Sequence, residues 1–247
     1  MVQNATDAVF HTIYSSIWTT TVVVAVAAFV LCAAWMRRQP FVTAFVAMWT
    51  IEIVVDAIIA GTGSSWLSKE AATIASLILV IAGDYRFFFL IERQARQPTT
   101  TPMATTTAGP AVWLGAFGFA LFVPIVASST FLPEEGTDGR WTYLFFESTF
   151  FVFVTILRLT LIPRRLRATT PAVRRWLLRV THFELLQYAL WITADIIILS
   201  GHDVGFALRL VPNVMYYALF LPFVAFSAPT NDVDDVDNVD HATRATS

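Results

Sequence analysis

The stretch FVTAFVAMWTIEIVVDAIIA, residues 41–60, decides how this chain folds. It contains no lysine, arginine, proline or glycine, and its only charged residues are Glu52 and Asp56. A helix that crosses the hydrocarbon core of a bilayer needs roughly 20 mostly apolar residues, which is the length of this stretch. The sequence therefore predicts a membrane-spanning helix that carries two carboxyl groups inside the membrane.

Similar apolar stretches recur along the whole chain. Hydrophobic residues make up 56% of the 247 residues and charged residues only 14%, whereas about 25% of a typical soluble domain is charged. The seven predicted spans are residues 17–36, 41–60, 71–91, 110–132, 141–162, 176–199 and 205–226. Because lipid leaves no backbone group unpaired, these spans are expected to be helices. We predict an all-α integral membrane protein, with a seven-helix transmembrane domain over residues 1–227 and a disordered acidic tail over residues 228–247.

Positive charges collect on one side of the predicted spans. The first, third and fifth loops carry nine arginines: Arg37, Arg38, Arg93, Arg96, Arg164, Arg165, Arg167, Arg174 and Arg175. The N-terminal segment and the other loops between spans carry only Lys69 and Arg140. Since basic loops stay in the cytoplasm, the N-terminus is predicted to lie outside and the C-terminus inside, in the plasma or cytoplasmic membrane.

The two halves of the chain show a weak internal similarity. The corresponding residues are Trp49 with Trp191, Asp56 with Asp195, and Gly83-Asp84 with Pro212-Asn213. The pattern suggests that spans 1–3 and spans 5–7 form a parallel 3+1+3 repeat with span 4 as its connector. Such repeats place a site at their interface, near the middle of the membrane. Chance similarity between apolar helices is the alternative.

Polar residues inside the spans are the candidate functional groups, because a charge in lipid costs at least roughly a few kcal/mol unless it faces the bundle interior. The candidates for binding protons or a substrate are Glu52, Asp56, Asp84, Glu147, Asp195 and Asn213. The candidates for salt bridges are Arg86, Arg158, Glu184 and Arg209.

Depth along the predicted helices sorts most of these groups into two tiers. The inner tier consists of Asp84, Glu184, Arg86 and Arg158, and the outer tier consists of Asp56, Glu147, Asp195 and Arg209. In the inner tier, the two acids are expected to accept salt bridges from the two arginines. In the outer tier, three acids outnumber one arginine, so at least two carboxyl groups are expected to be protonated, solvated or paired with a ligand.

Glu52 and Asp56 form the most specific candidate site. They lie four residues apart, which puts them on the same face of one helix. Two neighbouring carboxylates in a medium of low dielectric constant resist being ionised together. The pair is therefore expected to bind a proton or a cation. The alternative is a structural role, in which both groups form hydrogen bonds with neighbouring helices.

Several classes of protein are excluded or disfavoured by the residues present. A retinal Schiff base needs a lysine in the last helix, but the only lysine is Lys69, in a loop. The four histidines show no metal-ligand spacing, and no basic run interleaved with aromatic residues indicates nucleic-acid binding. No metal or cofactor is expected. The predicted partners are the lipid bilayer and either protons or a small molecule.

A resemblance to a transporter family follows from the second half of the chain. Trp191, Asp203 and Pro212-Asn213 resemble the tryptophan in helix six, the polar turn and the Pro-Asn pair opening helix seven of the SWEET and PQ-loop transporters. The resemblance implies a 3+1+3 bundle. It also implies that Asn213, and Asp84 as its repeat mate, form hydrogen bonds with a substrate. A small-solute or proton-linked transporter is therefore our leading hypothesis, in preference to an enzyme.

Two alternatives remain open. Trp49 and Glu52 resemble the tryptophan and acid in helix two of small membrane terpene cyclases. That resemblance implies that Glu52 protonates an alkene or epoxide while aromatic faces stabilise a carbocation. The third hypothesis is a seven-helix receptor or sensor without retinal, which signals through the basic loop at residues 164–175.

Overall fold

The computed structural model of this chain describes residues 17–36, 40–61, 67–96, 108–130 and 140–229. All regular secondary structure within these ranges is helical. The helices are α1 (Ile17–Met36), α2 (Pro40–Gly61), α3 (Lys69–Ala95), α4 (Pro110–Thr130), α5 (Arg140–Leu159), α6 (Leu161–Arg165), α7 (Pro171–Leu199) and α8 (Val204–Ser227). From residue 230 onward, the predicted acidic tail lies outside the described residues.

Four helices of the described part of the chain are long and apolar enough to cross a membrane. They are Pro110–Ser128 within α4, the whole of α5, the whole of α7 and the whole of α8. Large apolar side chains also face outward, among them Trp35, Leu114 and Leu159, as expected for a surface that meets lipid. The prediction of an all-helical membrane protein is confirmed at this level, whereas the number of spans and the orientation stay predictions.

The long helices pack in the order in which they follow one another along the chain. Each of α1 to α4 packs against the helix that follows it, and α7 packs against both α5 and α8. The last part of α8, Phe220–Ser227, then packs against α1 and α2, which closes the ring. Because α3 also touches α7 across the ring, side chains from α2, α3, α7 and α8 meet in the interior.

Two helices extend beyond the spans predicted from hydropathy. Helix α3 continues to Ala95, and Glu92, Arg93 and Gln94 in its last turn are buried. Helix α7 begins at Pro171, where the side chain of Thr170 accepts a hydrogen bond from the Val173 amide. A hydropathy profile ends a span at the first charged residues, whereas a helix continues as long as its backbone hydrogen bonds and end caps are satisfied.

The segment after α5 is folded, although the sequence predicts a basic loop there. Helix α5 ends at Leu159, and Leu161–Arg165 and Leu166–Ala168 form two short helical turns. Ile162 and Leu166 are buried, and Arg165 forms an ion pair with Glu92 of α3. Part of the predicted loop is therefore docked on the end of α3, which leaves less of it free to contact a signalling partner.

Helix α8 changes its winding near the centre of the bundle. Val204–Val214 is α-helical, Met215–Leu219 is π-helical and Phe220–Ser227 is α-helical again. Pro212 precedes the π-helical turn by three residues, and proline has no amide hydrogen to donate to the preceding turn. Wide turns of this kind often occur at functional sites. Here the wide turn directs Tyr216 and Tyr217 toward the interior groups described below.

Gly205 sets the close approach of α7 and α8. A Cβ atom at this position would lie 2.7 Å from the Ala194 carbonyl oxygen and 2.9 Å from the Ile198 amide nitrogen. Both are backbone atoms, so a clash can be relieved only by moving one helix. We therefore expect Gly205→Ala to lower the free energy of unfolding by about 1–3 kcal/mol, measured by thermal or denaturant unfolding in detergent.

Gly118 of α4 provides the matched control for this prediction. No described atom lies within 4 Å of a Cβ atom built there. Alanine also loses less backbone entropy than glycine in a helix, so Gly118→Ala is expected to be neutral or stabilising by up to about 1 kcal/mol. Equal destabilisation by the two substitutions would contradict the close packing of α7 on α8.

Candidate binding site inside the helix bundle

The carboxyl groups of α2 point into the bundle. Ile51 and Val55 have 67% and 42% of their surface exposed, whereas Asp56 is buried and the Glu52 side chain retains only 10% exposure. The exposed and interior faces of α2 are therefore distinct. Glu52 and Asp56 share the interior face because they lie one helical turn apart.

Arg86 of α3 lies at the centre of the interior cluster and is fully buried. Its Nη1 atom is 3.7 Å from Glu52 Oε2, and its Nη2 donates a hydrogen bond of 3.3 Å to the Tyr216 carbonyl oxygen. Its Cζ atom lies 4.1 Å from the ring centre of Tyr216 and 4.4 Å from that of Phe220. The guanidinium group thus has both a carboxylate and two aromatic faces as neighbours.

Asp84 and Glu184 complete the acidic side of this cluster. Tyr188 of α7 donates a hydrogen bond to Asp84 Oδ1, and its ring stacks on Phe150 with a centre-to-centre distance of 3.9 Å. Glu184, one turn before Tyr188, is buried and interacts electrostatically with Arg86 and Asp84. Residues of α2, α3 and α7 therefore surround the same guanidinium group.

Helix α8 forms the remaining wall. Tyr217 donates a hydrogen bond to Asp56, and the Trp191 indole donates one of 2.7 Å to Asn213 Oδ1. A Cβ atom at Gly83 would overlap the Tyr216 hydroxyl group and lie 2.8 Å from Cζ of that ring. Gly83 is therefore the position that lets α3 and α8 approach each other beside the cluster.

The charges of this cluster do not balance. Glu52, Asp56, Asp84 and Glu184 contribute four carboxyl groups, whereas Arg86 is the one guanidinium group that interacts with them among the described residues. Four ionised carboxylates and one cation would leave three net negative charges inside the bundle. A charge of that size in a medium of low dielectric constant calls for bound protons or bound cations.

A second polar cluster joins α5, α7 and α8. Arg209 donates to Asp195 and, over 3.3 Å, to Glu147, while Arg140 donates to Asp195 over 3.2 Å. The sequence predicts one arginine in the outer tier and at least two carboxyl groups without a cation. That expectation is wrong for Glu147 and Asp195, because Arg140 begins α5 inside the cluster and supplies a second cation.

The inner tier also differs from its prediction. Asp84 and Glu184 were expected to pair with Arg86 and Arg158, but Arg86 forms its ion pair with Glu52. No ion pair among the described residues involves Arg158, and its Nε atom has no hydrogen-bond partner there. The physical reason is geometric: depth along a helix does not specify the direction in which a side chain points around the helix axis.

Residues without a formal charge also belong to the cluster, although they were not predicted. Tyr188, Tyr216 and Tyr217 contact the acids and Arg86, and fully buried Gln187 has no hydrogen-bond partner for either amide atom among the described residues. Their positions held a usable signal, because Tyr188 follows Glu184 by one turn and both tyrosines of α8 follow Asn213 by three or four residues.

Metal binding has no support in this arrangement. Within the described residues, no group of three or more histidine, cysteine, aspartate or glutamate side chains is arranged so that it would hold a metal ion. The carboxyl groups of the cluster interact in pairs, Glu52 with Asp56 and Asp84 with Glu184, and each of the four also interacts with Arg86.

Comparisons with known proteins add no assignment. No protein-family model, curated protein sequence or solved structure matches this chain.

Proposed function

We propose that this chain is a seven-span membrane transporter, with its N-terminus outside and its C-terminus in the cytoplasm, that couples a small solute to protons. The pathway would run between spans 1–3 and spans 5–7, through the cluster around Arg86. The observation that carries the proposal is the excess of buried carboxyl groups, four against one guanidinium group, contributed by helices of both halves of the chain.

The reason lies in the energetics of charge in a membrane. A purely structural ionic cluster costs least when its charges balance, and an unpaired ionisable group in a spanning helix is costly to retain. Such an excess has a function in a transporter whose carboxyl groups bind protons on one side of the membrane and release them on the other. The second cluster, with two acids and two arginines, fits a structural role instead.

The contact between α3 and α8 supports the position of the pathway. Asp84 and Asn213, the repeat mates of the sequence analysis, each accept a hydrogen bond from an aromatic residue of α7: from Tyr188 and from Trp191, respectively. The π-helical turn of α8 lies beside the same groups. A wide turn next to a close helix contact supplies a place where α8 can bend while the cluster opens.

The test is transport into proteoliposomes that contain the purified full chain. We expect uptake of a solute to be driven by a pH gradient and to fall by about tenfold or more in Glu52→Gln, because one charged interaction of about 1.5–3 kcal/mol is lost. Asp203→Asn is the control, since Asp203 immediately precedes α8 and its side chain forms no capping hydrogen bond. If uptake is the same with and without a pH gradient, in Glu52→Gln and in Asp203→Asn alike, the proposed coupling to protons is refuted.

An intramembrane enzyme of the cyclase kind is the second candidate. It is favoured by a row of aromatic rings beside the acids, in which Tyr188 meets Trp191 at 5.1 Å and Trp191 meets Tyr216 at 5.6 Å between ring centres. Such faces stabilise carbocations. Conversion of a prenylated substrate by the wild type and not by Glu52→Gln, with no solute flux in liposomes, would favour this function over transport.

A further inference from the structure

Arg86 occupies a cage whose chemistry suits any organic cation of similar size. Its guanidinium carbon lies 4.1 Å and 4.4 Å from two ring centres, within the distance of about 6 Å at which aromatic faces attract cations. Glu52 lies 3.7 Å from one of its nitrogens. The cage thus combines aromatic faces with a carboxylate, and the arginine is a cation that the chain itself supplies.

The charge around this cage selects against anions. Carboxyl groups reach it from three helices: Glu52 and Asp56 from α2, Asp84 from α3 and Glu184 from α7. The other titratable groups that face it are the tyrosines Tyr188, Tyr216 and Tyr217. An anionic solute would be repelled by every ionised member of this set, whereas a cation would be attracted.

Glu184 provides an acceptor that the fold itself does not use. It is only 2% exposed, its Oε1 atom has no hydrogen-bond partner, and it forms none of the ion pairs found among the described residues. Its electrostatic interaction with Arg86 indicates that its carboxyl group lies near the guanidinium group. A buried carboxylate that lacks a donor is costly unless a ligand supplies one, so Glu184 is suited to accept from an N–H group of a bound cation.

Gln187 extends this unused polar surface by one helical turn. It is fully buried, and its amide oxygen and nitrogen both lack hydrogen-bond partners among the described residues. It follows Glu184 by three residues, which places both side chains on neighbouring positions of one helix face. Its oxygen offers a second buried acceptor on the same helix face as Glu184.

We propose that the solute of this site is an organic cation with a guanidinium or ammonium group, which competes with Arg86 for Glu52, Glu184 and the face of Tyr216. This inference rests on the proposed function, because it names the class of solute that the transporter would carry. Arg86 then acts as a tethered competitor: it neutralises the cage while no solute is bound, and the solute displaces it.

The test measures binding of methylguanidinium to the purified full chain in detergent by isothermal titration calorimetry. N-methylurea, which is similar in shape but neutral, and propanoate, which is anionic, serve as comparison probes. We expect only methylguanidinium to bind, and we expect Glu184→Gln to weaken its binding by about tenfold or more, as the loss of one charge-assisted hydrogen bond implies. Asp203→Asn should bind like the wild type.

Arg86→Ala is expected to change methylguanidinium affinity in the opposite direction. Removing the tethered competitor should strengthen methylguanidinium binding. If Arg86 were instead a residue that binds an anionic solute, its removal would abolish propanoate binding. If this variant does not fold, the comparison of wild type with Glu184→Gln still decides. The inference is overturned if propanoate or N-methylurea binds as well as methylguanidinium does, or if Glu184→Gln leaves methylguanidinium binding unchanged.

Flux measurements separate this inference from the proposed function. Methylguanidinium binding that is lost in Glu184→Gln, without uptake of any solute into liposomes, would retain the cation site and reject transport. Proton-coupled uptake of a neutral or anionic solute, without methylguanidinium binding, would retain transport and reject the cation site.

Discussion

Arg86→Met is expected to lower the free energy of unfolding by about 3–5 kcal/mol, the range found when one partner of a buried ion pair is removed. Methionine keeps much of the side-chain volume but removes the cation, and Glu52 then loses the guanidinium group that lies 3.7 Å away. Tyr216 and Phe220 lose their cation at the same time. The effect is measured by unfolding in detergent, with tryptophan fluorescence as the signal.

Arg158→Met is the matched control on α5. Arg158 is a half-buried arginine of a spanning helix, and no ion pair of the described residues involves it. We expect its substitution to change stability by less than about 1 kcal/mol. If the two substitutions had equal effects, the loss would reflect the burial of any arginine, and the special position of Arg86 among carboxyl groups would be refuted.

Asp195→Ala is expected to destabilise the second cluster by about 3 kcal/mol or more. Asp195 is fully buried and accepts from Arg209 and from Arg140. Its removal leaves two neighbouring guanidinium groups with Glu147 as the remaining acid, so repulsion is added to the lost ion pairs. Partial exposure of the two arginines, 17% for Arg209 and 25% for Arg140, keeps this loss nearer the lower end of the range for buried pairs.

A double-mutant cycle with Arg209→Met identifies the partner. Because Arg209 and Asp195 contact each other directly, the combined loss should be smaller than the sum of the two single losses by about 1–3 kcal/mol. Asp203→Ala, at the start of α8, is the single-site control and should stay within about 0.5 kcal/mol of wild type. Additive losses in the cycle would mean that the two residues stabilise the fold independently.

The interior face of α2 followed directly from residues 41–60. Glu52 and Asp56 lie one helical turn apart on the interior face, and the neighbouring apolar residues Ile51 and Val55 lie on the exposed face. A helix that places acids on one side and aliphatic residues on the other has one stable orientation in a bilayer, with the acids away from lipid. That prediction needed only the period of the α-helix and the cost of charge in hydrocarbon.

Arg140 shows where such reasoning stops. The sequence places it among the loop residues, but it begins α5 and donates to Asp195, which is 55 residues away in the chain. Nothing in the local composition indicates so distant a partner. The number of cations near a buried acid is therefore a property of the folded arrangement, and an estimate from the spans alone missed one of two arginines.

Hydropathy and helical periodicity were sufficient to predict a helical membrane fold and to find the polar residues inside it, because the exclusion of unpaired backbone and exposed charge from lipid acts on each segment separately. The partners of those residues, Glu52 for Arg86, Tyr188 for Asp84 and Arg140 for Asp195, emerged only from the packed bundle. Successive residues of a helix point about 100° apart, so a small rotation or shift of one helix against another changes every pairing while the hydropathy of both stays the same.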